Sequence, residues 1–460
     1  MVRRRNHHRR QGGRDMEPME EGGEWWLPET PDVKVSGVLR VDDRGSSQLS
    51  LIGELRSHLQ EAERHERPDG TVEFLFSEDS LHSSGKYPRV LGQVGTKEYT
   101  LEDGFRIRHN TNLLGGLASE TIMFSQVLRG VWLQTGDELA FDRVSVSMQW
   151  LTHWVGDGGI EETHEWVEGR PVSFALRGSQ VPNRRVHLGG GLTVHLRHRI
   201  GLAGDGITSR RLTQQFVFET RSTSLLQLES LMTTAARLQA LVSIGTGRTA
   251  GFDELVLNHP DLTQGPPSKP RQFRRSIDYL AQWSARDVDP RPPARHDMPF
   301  TLNDLGGMAA VGRWLQVAER YHHQLDQVMA TRYDGGMVSD RLLNRVAALE
   351  GFHKLRAAPN LSLKQRLIQC AVVAGTPFQD LVPDVAKWAD VAKRARNDIG
   401  HGSGPGGFEA ANTLFVADAA YWLFVLCLLR DMDAPEVVFT RITETPTYRW
   451  LKRNLADALP

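Results

Sequence analysis

The sequence predicts an α+β chain, sheet-rich in its N-terminal part and all-helical in its C-terminal part. Three observations predict it. From residue 33 to about residue 220, apolar and polar residues alternate in short runs broken by glycine. That is the period-2 pattern of half-buried strands. From about residue 302 onward, apolar residues recur every three or four positions, the period of helices that bury one face. Between the two, residues 261–296 are rich in Pro, Arg and Gln, the composition of a connection.

A chain of 460 residues suggests two or three domains. Residues 1–24 are Arg, Gly and Glu with little to bury, and are expected as a disordered basic tail. They carry six arginines and two adjacent histidines but no apolar h-region, so they are not a secretory signal. Order is expected from Trp25, with a sheet-rich domain over 25–260. Strands are expected at 33–41, 71–76, 139–150, 171–176, 192–199 and 214–220. Leu225, Leu228, Leu231, Met232, Ala235, Leu238 and Leu241 fall at helical spacing and predict a helix over 223–244. A connecting segment over 261–300 leads to a helical bundle over 301–460.

Each bundle helix has its own signal. Asn303 and Asp304 are capping candidates. Val311, Leu315, Ala318, Tyr321, Leu325 and Val328 form a first stripe. Leu342, Val346, Leu349 and Phe352 form a second. Leu363, Leu367, Ile368 and Ala371 follow Ser362. Val385, Trp388, Ala392, Ala395 and Ile399 make a fourth helix, and residues 409–430 a fifth. The most apolar run, 415–429, is interrupted by Asp418. It falls short of the roughly 18–20 residues that span a bilayer, so it predicts a buried core helix and no membrane.

Composition narrows the function. A formal net charge of −1 gives no global basic field, so a nucleic-acid site would have to be a local patch. Cys370 and Cys427, the two cysteines, lie in apolar helical surroundings. They read as buried free thiols of a reducing, cytoplasmic protein, with no Cys-based zinc site and no cofactor expected.

The informative motif is Arg396-Asn397-Asp398-Ile399-Gly400-His401. An imidazole exchanges protons near neutral pH, and a guanidinium presents a planar fork of donors to phosphate oxygens. Together they suit metal-free cleavage of RNA with the 2′-OH as nucleophile. Spacing alone is weak, because Arg3/His8 and Arg291/His296 share it. Only Arg396/His401 lies between predicted helices with Asn after the Arg. Positions five apart point about 140° apart on an ideal helix, so His401 reaches the Arg only if the helix ends near Gly400 and Gly402. The plain alternative is a solvated helix end and a loop histidine.

Arg-polar-x-x-x-His in a C-terminal helical domain resembles the HEPN ribonuclease superfamily. Arg394 stands at Arg-x6-His, and Arg396 is preferred because Asn397 directly follows it, as in the family pattern. With Trp26-Leu27-Pro28-Glu29, the stretches at 35–39 and 49–53, and Leu-Leu-Asn-Arg-Val-Ala-Ala-Leu-Glu at 342–350, the chain resembles the ApeA family of bacterial antiphage proteins. That resemblance implies a sheet-rich sensor domain joined to a HEPN nuclease. It further implies cleavage of RNA, with transfer RNA among the targets, and growth arrest on detecting a phage component, expected to be a protein. It also implies a homodimer in which two motifs face each other. Arg396, Asn397 and His401 are the expected catalytic residues, with Arg394 and Glu350 as supporting candidates. Some HEPN toxins carry Tyr two residues after the His, for control by adenylylation. Ser403 stands there, which argues against that control. The competing function is a non-catalytic RNA- or protein-binding module built on a HEPN-like dimerisation bundle.

Other constellations favour structural roles. His195 and His198 should face opposite sides of a strand. His322 and His323 should diverge on a helix. Gly245-Thr246-Gly247 with Gly251 lacks the Lys-Ser/Thr ending of a phosphate loop. Glu161, Glu162, His164 and Glu165 read as a solvated loop.

Overall fold

The computed structural model describes residues 18–56, 63–69, 72–75, 85–110, 118–264, 273–281, 287, 289–333, 336–357, 360–400 and 410–459. It has the expected sheet-rich N-terminal part and all-helical C-terminal part. The chain divides into two compact units. One takes residues up to Val146 with Ser222–Leu231 and Asp253–Ser284, and the other takes Ser147–Arg221, Met232–Phe252 and Ala285–Pro460.

The first unit is a closed barrel. Its strands are β1 (Met19–Trp26), β2 (Val35–Val41), β3 (Ser47–Ile52), the short hairpin β4 (Glu63–Glu66) and β5 (Val72–Leu75), then β6 (Lys86–Val94), β7 (Lys97–Asn110) and β8 (Ser119–Arg129). Antiparallel pairing runs β1-β2-β3-β8-β7-β6 and returns to β1, leaving those six strands without an open edge. Alternate residues point inward. Trp25, Leu39, Leu49, Tyr87, Val90, Tyr99, Leu101 and Ile122 are fully buried there. The Trp25 indole donates to the Gly37 carbonyl at 3.2 Å. It lies so close to Gly92 that a Cβ there would sit 2.1 Å from the ring.

Two expectations change in this unit. Order begins before Trp25, because β1 starts at Met19. Its glutamates hid it: Glu20 pairs with Arg40 at 2.9 Å and Glu21 with Lys97 at 2.8 Å, so cross-strand ion pairs replace apolar alternation. The connecting segment also holds a strand, Ile277–Ala281, which extends the edge of β8 beside β3 and adds an Arg129–Asp278 bridge at 2.6 Å.

The second unit contains α1 (Leu151–Val155) and the two-stranded ribbon β10 (Ile160–Val167) and β11 (Arg170–Gly178), which follow β9 (Ala140–Met148). Then come β12 (Arg184–Gly189), β13 (Leu192–Ala203) and β14 (Arg211–Gln227), whose residues from Ser222 count with the first unit, paired antiparallel in that order. The acidic run Glu161–Glu165 is thus strand, not loop, with His164 2.9 Å from Glu162. Helix α2 (Leu228–Thr246) begins five residues later than expected, because β14 continues through Gln227.

The bundle follows. Helix α3 (Leu302–Leu305) is capped by Thr301, whose hydroxyl and the Asp304 carboxylate form a reciprocal capping box. The first stripe is two helices, α4 (Met308–Arg320) and α5 (His322–Tyr333), parted at Tyr321. The Tyr321 hydroxyl donates to Asp431 at 2.5 Å. His322 and His323 do not diverge: their rings lie 4.0 Å apart. His322 opens its helix and its Nδ1 turns back to the Glu319 carbonyl at 3.0 Å.

Next are α6 (Val338–Arg356), α7 (Leu363–Ala374), α8 (Thr376–Leu381), α9 (Val385–Gly400), α10 (Ala410–Asp431), α11 (Glu436–Glu444) and α12 (Pro446–Ala458). A capping box of Ser362 and Gln365 starts α7. Helix α10 packs against α6, α7 and α12, and Ala417, Leu423, Phe424, Leu426, Leu428 and Leu429 on all its sides are fully buried. By length and composition its Ala411–Asp431 stretch could cross a membrane, with mean hydropathy 1.7, yet 78% of that window is buried within the protein. The sequence pattern breaks the run at Asp418. In the fold that charge is accommodated, because Asp418 accepts from buried Arg345 at 2.6 Å. Cys370 and Cys427 are buried free thiols as expected, and burial, followed by the neighbouring Cys370, pushes the Cys427 thiol up.

Candidate active site

Helix α9 carries the described half of the motif. Asp384 starts the helix by accepting the Lys387 N–H at 2.9 Å. Trp388, Ala389, Val391, Ala392 and Ala395 make its buried stripe, and it packs against α6, α7 and α10. Arg396, Asn397, Asp398 and Ile399 follow in the last described turn, all half-buried, with Gly400 as the last described residue of the helix. His401 and Ser403 lie outside the described residues.

The two candidate arginines differ in what they touch. Arg394 is exposed and forms an ion pair with Asp390 one turn back, at 3.3 Å. Arg396 has no ion pair among the described residues. Its Nη1 donates to the Asn397 side-chain oxygen at 3.3 Å. Its Nε is buried without a hydrogen-bond partner among the described residues. A guanidinium in that condition has donors to spare for an anion, whereas Arg394 is already matched by a carboxylate. Of the decoy pair Arg291/His296, Arg291 is bound to Asp289 at 3.0 Å and His296 lies 3.5 Å from Asp297, both outside any helix.

The remaining candidates have local partners. Glu350 on α6 pairs with Lys354 at 2.7 Å. His353 is buried, and the Arg366 guanidinium approaches its Nδ1 at 3.4 Å. Burial first, then Arg366, holds the His353 imidazole below its usual range. His198 is buried and accepts the Val181 N–H on Nδ1 at 3.1 Å, while His195 faces the opposite side of β13. Thr246 donates to the Val242 carbonyl at 2.7 Å, and Gly245 packs against Trp154 and Phe300, so that glycine-rich stretch is packed helix end. Among the described residues no three His, Cys, Asp or Glu side chains gather as a metal site.

Sequence periodicity missed α8, α11 and α12. Pro377 is the second residue of α8 and Pro446 the first of α12, after a Thr445 cap, and Pro in the first turn of a helix is a readable signal. The family model described as ApeA N-terminal domain 1 matches residues 20–314. No curated protein and no solved structure matches the chain. With well over half its length covered by that one model, the chain belongs to the ApeA family of antiphage defence proteins.

Proposed function

We propose that the chain is a HEPN-type, metal-independent RNA endonuclease that acts in antiphage defence by abortive infection, with transfer RNA among its targets. The observation that carries this reading is the pairing of Arg396 with Asn397 at the end of α9. Arg396 combines partial burial, an absence of ion pairs among the described residues and an Nε with no partner there, a short step along the chain from His401. In this mechanism Arg396 holds the scissile phosphate and offsets the charge that grows on it. His401 takes the 2′-OH proton, or returns one to the departing 5′-oxygen. The 2′-oxygen bonds to phosphorus as the P–O5′ bond breaks, leaving a 2′,3′-cyclic phosphate and a 5′-hydroxyl. Asn397 orients the guanidinium or the histidine. Two protomers bring their motifs together, and the N-terminal part restrains the nuclease in the cytoplasm until a phage protein binds.

The test is RNA integrity in infected cells carrying the wild type or His401→Ala. Cleavage with cyclic-phosphate ends by the wild type alone, persisting in EDTA in vitro, is expected. Equal toxicity with intact RNA in both strains would refute cleavage and leave a non-catalytic binding module.

A further inference from the structure

The outer face of β12–β13–β14 is strongly basic. Register sets which residues share it. Arg185 lies opposite His195, which lies opposite Glu219, and Thr193 lies opposite Arg221. Alternation along β13 then puts Arg197 and Arg199 on that face, and along β14 it puts Arg211 there. The inner face is mostly apolar, with Val194, Leu196, Phe216 and Phe218 buried, and also carries His198, Gln214 and Arg184. Arg185, Arg199 and Arg211 are exposed. Arg197 and Arg221 both reach Glu219, the former at 2.7 Å, and cover its carboxylate. Glu219 is the one carboxylate in these three strands. The five arginines therefore outnumber the acidic groups of their own sheet face, on a chain whose net charge is −1. Burial holds the His195 imidazole low, and Arg221, Arg185 and Arg197 push it lower against Glu219, as a positive local field would.

We infer that this face is the RNA-binding surface of the nuclease, and that it holds the phosphate backbone of a duplex-bearing, folded RNA. This rests on the ribonuclease reading above. Charge complementarity selects a polyanion. From Arg185, opposite His195, to Arg211, opposite Ala203, the open part of the face runs ~26 Å along β13, with successive outward residues about 6.6 Å apart, enough to follow a backbone over several nucleotides, whereas the outward Val217 and Glu219 of β14 are buried. The face lacks exposed Phe, Tyr or Trp. Single-strand readers stack bases on such rings, whereas duplex RNA is held by shape and phosphate contacts. An arginine grid without aromatics suits the second.

The experiment uses the full chain carrying His401→Ala, so that binding is read without cleavage. One probe is a transfer-RNA transcript and the other is oligo(U) of equal length. The variant is Arg185→Gln/Arg199→Gln/Arg211→Gln, and the control removes equal charge elsewhere with Arg44→Gln/Arg170→Gln/Arg177→Gln. The transcript should bind the parent more tightly than oligo(U). The triple variant should bind at least tenfold more weakly, and its slope of log K against log salt should fall by about 2–3, roughly 0.9 for each phosphate that is no longer neutralised. The control should bind as the parent does. Equal weakening in the control, unchanged binding in the triple variant, preference for oligo(U), or no binding by the parent would each overturn the assignment. So would tighter binding to anionic phospholipid vesicles than to RNA. Face-dependent binding with no cleavage by the wild type would instead overturn the nuclease reading and leave this one standing.

Discussion

Arg345 is the sharpest test of how the bundle tolerates a charge in its central helix. Its side chain is 7% exposed and that of Asp418 is 33% exposed. The guanidinium donates to Asp418 at 2.6 Å, to the Ala417 carbonyl at 3.1 Å and to Thr331 at 3.1 Å, and lies over the Tyr421 ring. Burial lowers its pKa and Asp418 opposes that, so the pair is held in partial desolvation. Breaking a buried pair from one side costs about 3–5 kcal/mol. The partial exposure of Asp418 places Arg345→Ala near the low end, at about 3 kcal/mol. At roughly 2–4 °C per kcal/mol for a cooperative unit of 150–250 residues, its melting midpoint should fall by about 6–12 °C. Asp418→Ala should cost about as much, because it strands a deeply buried cation. Arg345→Met/Asp418→Leu should return to within about 2 kcal/mol of the wild type, since apolar replacement removes the desolvation cost of both charges. Urea unfolding of the four proteins, followed by tryptophan fluorescence, gives the double-mutant cycle. A coupling below about 0.5 kcal/mol would mean that the two side chains act independently, and the account of Asp418 would fail.

The site gives a second prediction. Arg396→Lys should lose most RNA cleavage, because an ammonium cannot reproduce the fork, while Arg394→Ala should cleave near the wild-type rate; the reverse pattern in a gel assay would reassign the cation. In the barrel, Gly92→Ala must push on a fully buried Trp25 and should cost about 1–3 kcal/mol, read as a lower midpoint with altered near-ultraviolet dichroism; an unchanged midpoint would show that the indole has room. The buried His353 predicts a pH effect. Its folded pKa lies below the unfolded value of 6.5, so the unfolded chain binds the extra proton between the two values. The stability its neutral form contributes is therefore complete above pH 6.5 and is lost as pH falls below it. His353→Gln keeps an acceptor for Arg366 without titrating, so its midpoint should drop less than the wild type's between about pH 7.5 and about pH 5.5; equal drops would place the acid sensitivity elsewhere.

The fold was legible where one physical signal dominated. Period-2 alternation located β2, β9, β11, β13 and β14, and the apolar stripes of α4, α5 and α6 landed on buried residues, while those of α7 and α9 end on the half-buried Leu363, Ile368, Val385 and Ile399. It was less legible where a polar residue finds a distant partner. The glutamates of β1 read as a solvated tail, and only the fold places Arg40 and Lys97 across from them. Asp418 reads as a charge interrupting the apolar run of a core helix, and only the fold places Arg345 beside it. In the candidate site, the motif could be read from spacing, but the preference for Arg396 gains a physical basis only from the ion pair that engages Arg394.

The basic face shows the same limit from the other side. Its arginines stand at 185, 197, 199, 211 and 221, on three strands. Residues 170–204 hold six arginines and no Asp or Glu, yet the overall charge is close to zero. The sequence shows the basic stretch, and antiparallel register shows which of its arginines share one face, since Arg184 points to the other. On the proposed function, a basic sheet face would draw RNA to that face. A phage protein that engages a different part of the chain would then not compete with the RNA. RNA bound to the His401→Ala protein should therefore not displace the trigger; mutual exclusion in a binding competition would place both partners on the same face and refute the separation.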